Sequence, residues 1–551
     1  MENTAIGKVT ATEKQPTTCN TLRFWVHHDV VIRPFDIVRI EHITKYDGKP
    51  SYTYAIVQDL EYITDSPGHL ASYVSSDFGD LNAMPQNERM GTTIAQAEVL
   101  YNNQEIEMPV RDGARVEWAD VEGIKEALGL SAYQQPIPAG YICISSGEEV
   151  PIEFEAEYLL GPEGAHLNIA GISGLATKTS YVMFLLNSIQ QRLSNKVAMI
   201  IFNVKGTDLL SIDEPNSELT DMQREDWEKC GLKPVPFSGV TYLYPFDNRP
   251  QDHYTTSHVD PRILERQQEK NHAFNYFYDV ETAKSKLALL FSDIDDPNST
   301  MESVAHQLSD FDASSWTDLR DMIDQRTKKG TGSNQDISVM SWRKFSRLLR
   351  SRTSDGLFTQ KATTQVDKKR QKSIRDAILA LRPGNVLVID VEPLPDYLQC
   401  LVFGDVIQTI YSIKLGDEES VGSSDLGKVI IFADELNKYA PKSGDSKRTL
   451  TQNILEVTER GRSLGTVLFG AEQFRSGVHD RVLGNCSTNV YGRTSPVEIS
   501  KCPDYHYFPS AYKAAITRLT KGSLLLQHAV FKTSLIKVQF PFPSYYQPKE
   551  K

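Results

Sequence analysis

HLNIAGISGLATKTSYVMFLLNSIQQRL, residues 166–193, is an apolar run, a glycine-bearing loop and then a stretch whose Val182, Leu185, Leu186 and Ile189 share one helical face. Strand, loop and helix in that order, with a Lys–Thr pair where the helix opens, make a cradle for an anion. Backbone N–H groups and the helix N-terminus face the anion, Lys178 neutralises β- and γ-phosphates, and the Thr179 hydroxyl is placed to ligate Mg2+. The cradle residues are Gly171, Ser173, Gly174, Ala176, Thr177, Lys178, Thr179 and Ser180. Two features depart from the usual phosphate loop. Thr177 stands where glycine normally precedes the lysine, which asks Thr177 for a conformation glycine takes more easily, and Gly171 lies seven residues before Lys178 rather than six. A plain Gly/Ser turn between strand and helix is the competing reading, so the segment needs a partner.

VIIFADELNKYAP, residues 429–441, supplies one. It reads as a buried apolar strand ending in adjacent acids, with Asp434 to hold the Mg2+ shell and Glu435 to polarise an attacking water. Carboxylates at the C-terminal end of a strand stand where ligands bind in open α/β sheets. Further apolar runs at residues 197–204, 386–391 and 466–470, separated by helical stretches, predict a mainly parallel sheet covered on both faces.

Upstream the texture differs. Short β-like runs (GKVTAT, RFWV, DIVRIEH, TYAIV, AQAEVLY) are separated by turn-prone YDGKP and VRDGA, the spacing of a small antiparallel barrel or sandwich, read here as a barrel. Between residues 261 and 373 strands give way to charged, helical text, read as an insertion in the sheet domain, with KKGTGSNQD as a solvated loop. The expected organisation is a barrel over 1–150, the first part of the nucleotide-binding core over 151–260, a helical insertion over 261–373, the second part over 374–540 and a tail over 541–551. A chain of 551 residues exceeds what one core normally holds, which agrees with several domains.

TERGRSLGTVLFGAEQF, residues 458–474, gives the pattern a specific likeness. An acidic strand end, a helix closing in Gly461–Arg462 and a strand closing in Gln473 together resemble the HerA family of hexameric ATPases, close relatives of FtsK. That resemblance implies a RecA-like P-loop core using ATP and Mg2+, an N-terminal barrel and a helical insertion. It also implies a homo-hexamer in which Arg462 or Arg460 reaches the γ-phosphate of the neighbouring subunit, while Gln473 senses that phosphate or orients water. For both arginines a helix C-terminal cap stays open as the alternative. The resemblance further implies action on double-stranded DNA with an effector docked on the barrel, a nuclease or a sirtuin-like NAD-degrading enzyme, as in anti-phage defence. A nucleotide-gated scaffold that switches such an effector, with little motor activity, is the second function in view.

Two weaker features remain. Lys205 and Asp208 either line the site or sit in a solvated turn, and Lys438, Lys442, Lys447 and Arg448 form either a pore-facing basic patch or a solvated face. Other chemistries fit poorly. GISGL lacks the second glycine of a nucleophile elbow, since Leu175 occupies that place. His27, His28, His253 and His258 have no carboxylate or cysteine partner at ligand spacing, and the six cysteines show no metal-binding pattern. A net charge of −13 argues against a surface that grips nucleic acid throughout, though not against a local basic channel. No apolar run approaches a bilayer span and the N-terminus lacks a signal-like apolar segment, so a cytoplasmic protein with reduced thiols is expected.

Overall fold

The computed structural model describes residues 5–82, 90–172, 177–248, 252–292, 294, 300–328, 337–360, 370–416, 426–442 and 449–548. They divide into two compact units, Met1–Glu155 with Pro503–Gln539, and Ala156–Cys502 with Phe540–Lys551.

In the first unit, β1 (Ala5–Val9), β2 (Thr21–Val26), β3 (Ile37–Tyr46), β4 (Lys49–Thr64), β5 (Gly91–Asn102) and β6 (Arg115–Trp118) close into a barrel of order β1-β2-β5-β4-β3-β6. The alternation of side chains sends Phe24, Val38, Ile40, Ala55, Val57 and Val116 inward, where they are sealed from water. The β3–β4 hairpin turns on Asp47 and Gly48, both at positive φ (51° and 80°), as a two-residue turn matched to strand twist requires. The barrel is complete at Trp118. The next strands, β7 (Pro136–Cys143) and β8 (Glu149–Glu155), pair with each other instead.

The second unit is built on β9 (Leu167–Ala170), β10 (Val197–Asn203), β11 (Val240–Pro245), β12 (Ala273–Tyr276), β13 (Val386–Asp390), β14 (Lys428–Asp434), β15 (Thr466–Glu472) and β16 (Thr488–Tyr491). They lie in the order β12-β11-β13-β10-β14-β15-β9-β16 and every pair is parallel. Each residue of β10, β13 and β15 is buried, which is why these strands read as unbroken apolar runs. This is the α/β, RecA-like arrangement expected from the sequence, accompanied by the barrel and by helices between residues 280 and 380. Back in the first unit, β17 (Ser523–His528) and β18 (Ile536–Gln539) pair antiparallel, and β18 joins β7 at Gln539–Tyr141.

One stretch departs from expectation. Ala273–Tyr276 lies where strands were expected to stop, yet it forms β12 on the open edge of the sheet against β11. Four residues, AFNY, framed by helical text carry no periodicity that separates strand from helix, and pairing with β11 decides it. Residues 329–336, most of the expected KKGTGSNQD loop, lie outside the described residues. Among the described residues no helix is long and apolar enough to cross a membrane.

Candidate functional site

The order of strands brings three C-terminal ends together. β15 lies between β9 and β14, pairing Ala170 with Glu472 and Ala471 with Asp434, so the loop after β9 and the acids after β14 open on the same edge of the sheet. The helix Thr177–Leu193 starts at that edge. Its Tyr181, Val182, Leu185, Leu186 and Ile189 are wholly buried, at roughly 1.5–3 kcal/mol for each large apolar side chain, so its first turn is rigidly placed.

Around this edge lies a cavity of about 390 Å3, lined by Ile172, Thr177, Lys178, Thr179, Ser180, Asp434, Glu435 and Gln473 together with the turn after β10. The Thr179 hydroxyl donates to Asp434 Oδ2 at 3.0 Å, across 255 residues of sequence. Lys178 is 8% exposed and its Nζ donates to the Gly171 carbonyl at 3.0 Å. Burial lowers the Lys178 pKa, while the negative charges of Asp434, Glu472 and Glu435 oppose the shift. Glu435 is exposed and sits in the left-handed region (φ 58°, ψ 44°), its N–H donating to Asp434 Oδ1 at 2.9 Å. Thr179 and Asp434 present a hydroxyl and a carboxylate side by side, the hard oxygen donors a Mg2+ ion takes.

The demand placed on Thr177 by its missing glycine is not met with strain. Thr177 is the first residue of the helix and has ordinary helical geometry. Gly171 sits in a tight place: a Cβ there would lie 3.1 Å from Gly492 Cα on the neighbouring β16 connection, so a side chain would push the two loops apart by a few tenths of an ångström. Ser173, Gly174 and Ala176 lie outside the described residues.

Arg460 and Arg462 are not part of this cavity. Both are exposed in the last turns of the helix Thr449–Leu464, which leads into the start of β15, and Arg462 Nη1 donates to the Glu163 carbonyl at 3.1 Å. β15 is seven residues long. At about 3.3 Å per residue, its length puts both arginines roughly 20 Å from the site in their own chain.

Lys205 and Asp208 line the cavity, so the turn after β10 belongs to it. Lys438 pairs with Asp396, and Lys442 with Asp480 at 2.8 Å, whereas Lys447 and Arg448 lie outside the described residues. The histidines, expected to lack carboxylate or cysteine partners at metal-ligand spacing, form ion pairs with carboxylates, His28 and His258 at the surface. His28 meets Asp29 at 3.2 Å, His258 meets Glu392 at 2.7 Å and His253 meets Glu265 at 3.6 Å. These pairs arise from chain crossings and adjacent residues that ligand-spacing rules do not register.

Two groups of site residues escaped the sequence reading. Tyr545 and Gln547, in the segment read as a tail, line the cavity. That segment is strapped down: Trp227 Nε1 donates to the Phe542 carbonyl (2.9 Å), Asn216 N–H to the Ser544 carbonyl (2.9 Å) and Tyr546 N–H to the Glu214 carbonyl (2.8 Å). Its aromatic content, FPSYY, was the available signal. The other is Glu472, the last residue of β15, completely buried, with its pKa pushed up to about 8 by burial against the opposing pull of Arg475, Asn168 and Lys178.

No protein family matches the sequence, and no curated protein matches it. Among solved structures the chain is similar to the bacterial conjugative coupling protein TrwB in its unbound monoclinic form, with 14% identity and a TM-score of 0.42 over 72% of this chain and 88% of that one. It is similar also to TrwB in complex with ADP and Mg2+ (14%, 0.42, 70% and 87%) and to VirB4 of Thermoanaerobacter pseudethanolicus (13%, 0.41, 74% and 96%).

Proposed function

We propose that the chain binds and hydrolyses ATP as a subunit of a homo-hexameric ring. The observation that carries this reading is the Thr179–Asp434 hydrogen bond with Lys178, Glu435 and Gln473 around the same cavity, since residues of a phosphate loop and of an acidic strand end meet there. Lys178 neutralises the β- and γ-phosphates, with Gly171, Ser173, Gly174, Ala176, Thr177 and Ser180 completing the cradle. Thr179 and Asp434 hold Mg2+, which when bound offsets the charge of the phosphates. Glu435 polarises the attacking water and Gln473 senses the γ-phosphate. The distance of Arg460 and Arg462 from their own site supports a role for one of them in the neighbouring subunit's site.

The HerA resemblance extends the reading to double-stranded DNA translocation in company with a nuclease or sirtuin-like NAD-degrading effector in anti-phage defence. A second reading, a nucleotide-gated scaffold that assembles and switches the effector, is favoured by the neutralisation of Lys438 and Lys442 by Asp396 and Asp480 and by the net charge of −13. ATP turnover with and without duplex DNA separates the two, because a motor is stimulated by DNA and a scaffold by its partner.

Replacing the group that activates water separates binding from chemistry. Glu435→Gln is expected to retain ATP and lose turnover by about 10²-fold or more, whereas Lys178→Ala loses binding too. Nucleotide titration and phosphate release on both variants check this. Normal turnover in Glu435→Gln would falsify the assignment.

A further inference from the structure

Beneath the cavity, on the edge of the sheet that carries it, three polar side chains are closed off from water. Glu472 is fully buried at the end of β15, where the preceding Val467, Leu468, Phe469 and Ala471 are all apolar. Its Oε2 accepts from Asn168 Nδ2 on β9 at 3.0 Å, and Asn168 Oδ1 accepts from Arg475 Nη1. Arg475 is 3% exposed and its guanidinium lies over the Tyr491 ring, 5.5 Å from the centroid. Glu472 Oε1 is buried with no hydrogen-bond partner among the described residues. An apolar side chain at this position would avoid the desolvation of a carboxyl and the loss of an acceptor's partner, so stability alone does not account for Glu472.

Its surroundings do. The Glu472 carbonyl accepts from Gly171 N–H at 3.2 Å, and the Gly171 carbonyl accepts from Lys178 Nζ at 3.0 Å. On the other flank Ala471 is the register partner of Asp434, and the next residue, Gln473, lines the cavity. One residue therefore sits a single step from the phosphate lysine, the metal-holding acid and the glutamine.

We propose that Asn168, Glu472 and Arg475 form a positioning triad that locks the start of the phosphate loop and Gln473 into one arrangement across β9 and β15, so that the chemical step depends on it more than nucleotide affinity does. This rests on the nucleotide reading above. The triad does not line the cavity, and the Thr179–Asp434 hydrogen bond involves none of its members. What is lost is the aim of Gln473, and a displacement of about 1 Å in a group that orients reactants lowers a rate by roughly 10²-fold.

The test uses the full-length protein, with affinity measured by titration of a fluorescent ATP analogue and chemistry by single-turnover hydrolysis. Glu472→Ala is expected to slow the single-turnover rate by at least about 10-fold with affinity held within about 3-fold. Glu472→Gln, which has the same shape and still accepts from Asn168, restores most of the rate. Arg475→Lys keeps the charge without the guanidinium fork and gives the same split where Glu472→Ala fails to fold. A Glu472→Ala rate equal to wild type overturns the triad. So does a parallel fall of rate, affinity and melting temperature that Glu472→Gln does not relieve, because that marks a packing defect. Lys178→Ala serves as the reference: if wild type and Lys178→Ala bind the analogue equally, the nucleotide reading falls and takes the triad with it.

Discussion

Glu435 holds a backbone conformation that side chains with a Cβ avoid, at φ 58° and ψ 44°, and its carboxylate reaches the cavity from there. Such a residue costs on the order of 1–2 kcal/mol, and a strained residue at a cavity wall is retained for what it presents. Glu435→Gly is therefore expected to leave the protein as stable or more stable, by about 1 kcal/mol, while abolishing turnover. Denaturant melts beside an ATPase assay check it, and a clear loss of stability would remove strain from the account. Glu472 gives a second expectation, in pH. Burial raises its folded pKa to about 8, well above the usual glutamate range, so the folded state binds the extra proton and stability is lost as pH rises from about 4.5 towards 8. Replacing it with Gln removes that dependence, so the melting temperature of Glu472→Gln should gain on wild type between pH 5 and pH 8. A constant difference across that range would mean that Glu472 is not protonated in the folded protein. Lys178, Thr179, Asp434 and Glu435 were legible as candidates because each belongs to a local pattern of residue types. Glu472 was not, because its burial follows from β9 and β14 closing on both sides of β15.

The strands that carry the cavity were readable because continuous burial writes continuous apolar text, as in VAMIIFN of β10 and TVLFGAE of β15. β12 was missed at the sheet edge, where AFNY is too short to declare itself. The helix Thr449–Leu464 fixes a stronger consequence. It delivers Arg460 and Arg462 to the start of β15, at the opposite edge of the sheet from Asp434. If one of them completes a neighbour's site, rings mixing Arg462→Ala and Lys178→Ala subunits recover sites that neither variant has alone. Recovered turnover in verified mixed rings is the expected result, and its absence, with Arg460 tested likewise, leaves both arginines as helix caps. The C-terminal segment carries a further expectation. Tyr545 is buried and, with Gln547, lines the cavity, so ending the chain at Ser544 should weaken ATP binding by about 10-fold, while Gln547→Ala alone weakens it less. Unchanged affinity in the truncated chain would make the segment a strap and nothing more.

The division of the chain decides how the barrel can be tested. β1 to β6 close on themselves around Phe24, Val38, Ile40 and Val57, which leaves no unpaired edge and a core of its own. A deletion of residues 1–139 would cut inside β7, whose residues pair with β8 and at Tyr141 with β18. The helix Val121–Leu128 belongs with the barrel, since a Cβ at Gly123 would meet the Tyr54 ring at 2.6 Å. Beyond it the Gln134 and Gln135 N–H groups donate to the Glu155 carboxylate, so the chain from Tyr133 onward is held by β8. Removing residues 1–132 therefore takes the barrel and its helix while leaving β7, β8, β17 and β18 paired. If the barrel is where an effector docks, this truncated chain binds ATP with the affinity of the full chain but no longer co-purifies with the effector expressed beside it. Both readouts are needed, because loss of co-purification together with loss of ATP binding would signal only misfolding. Recovery of the effector at full yield from the truncated chain would take its dock off the barrel, and a full-length ring that purified alone and pumped DNA unaided would favour the independent motor.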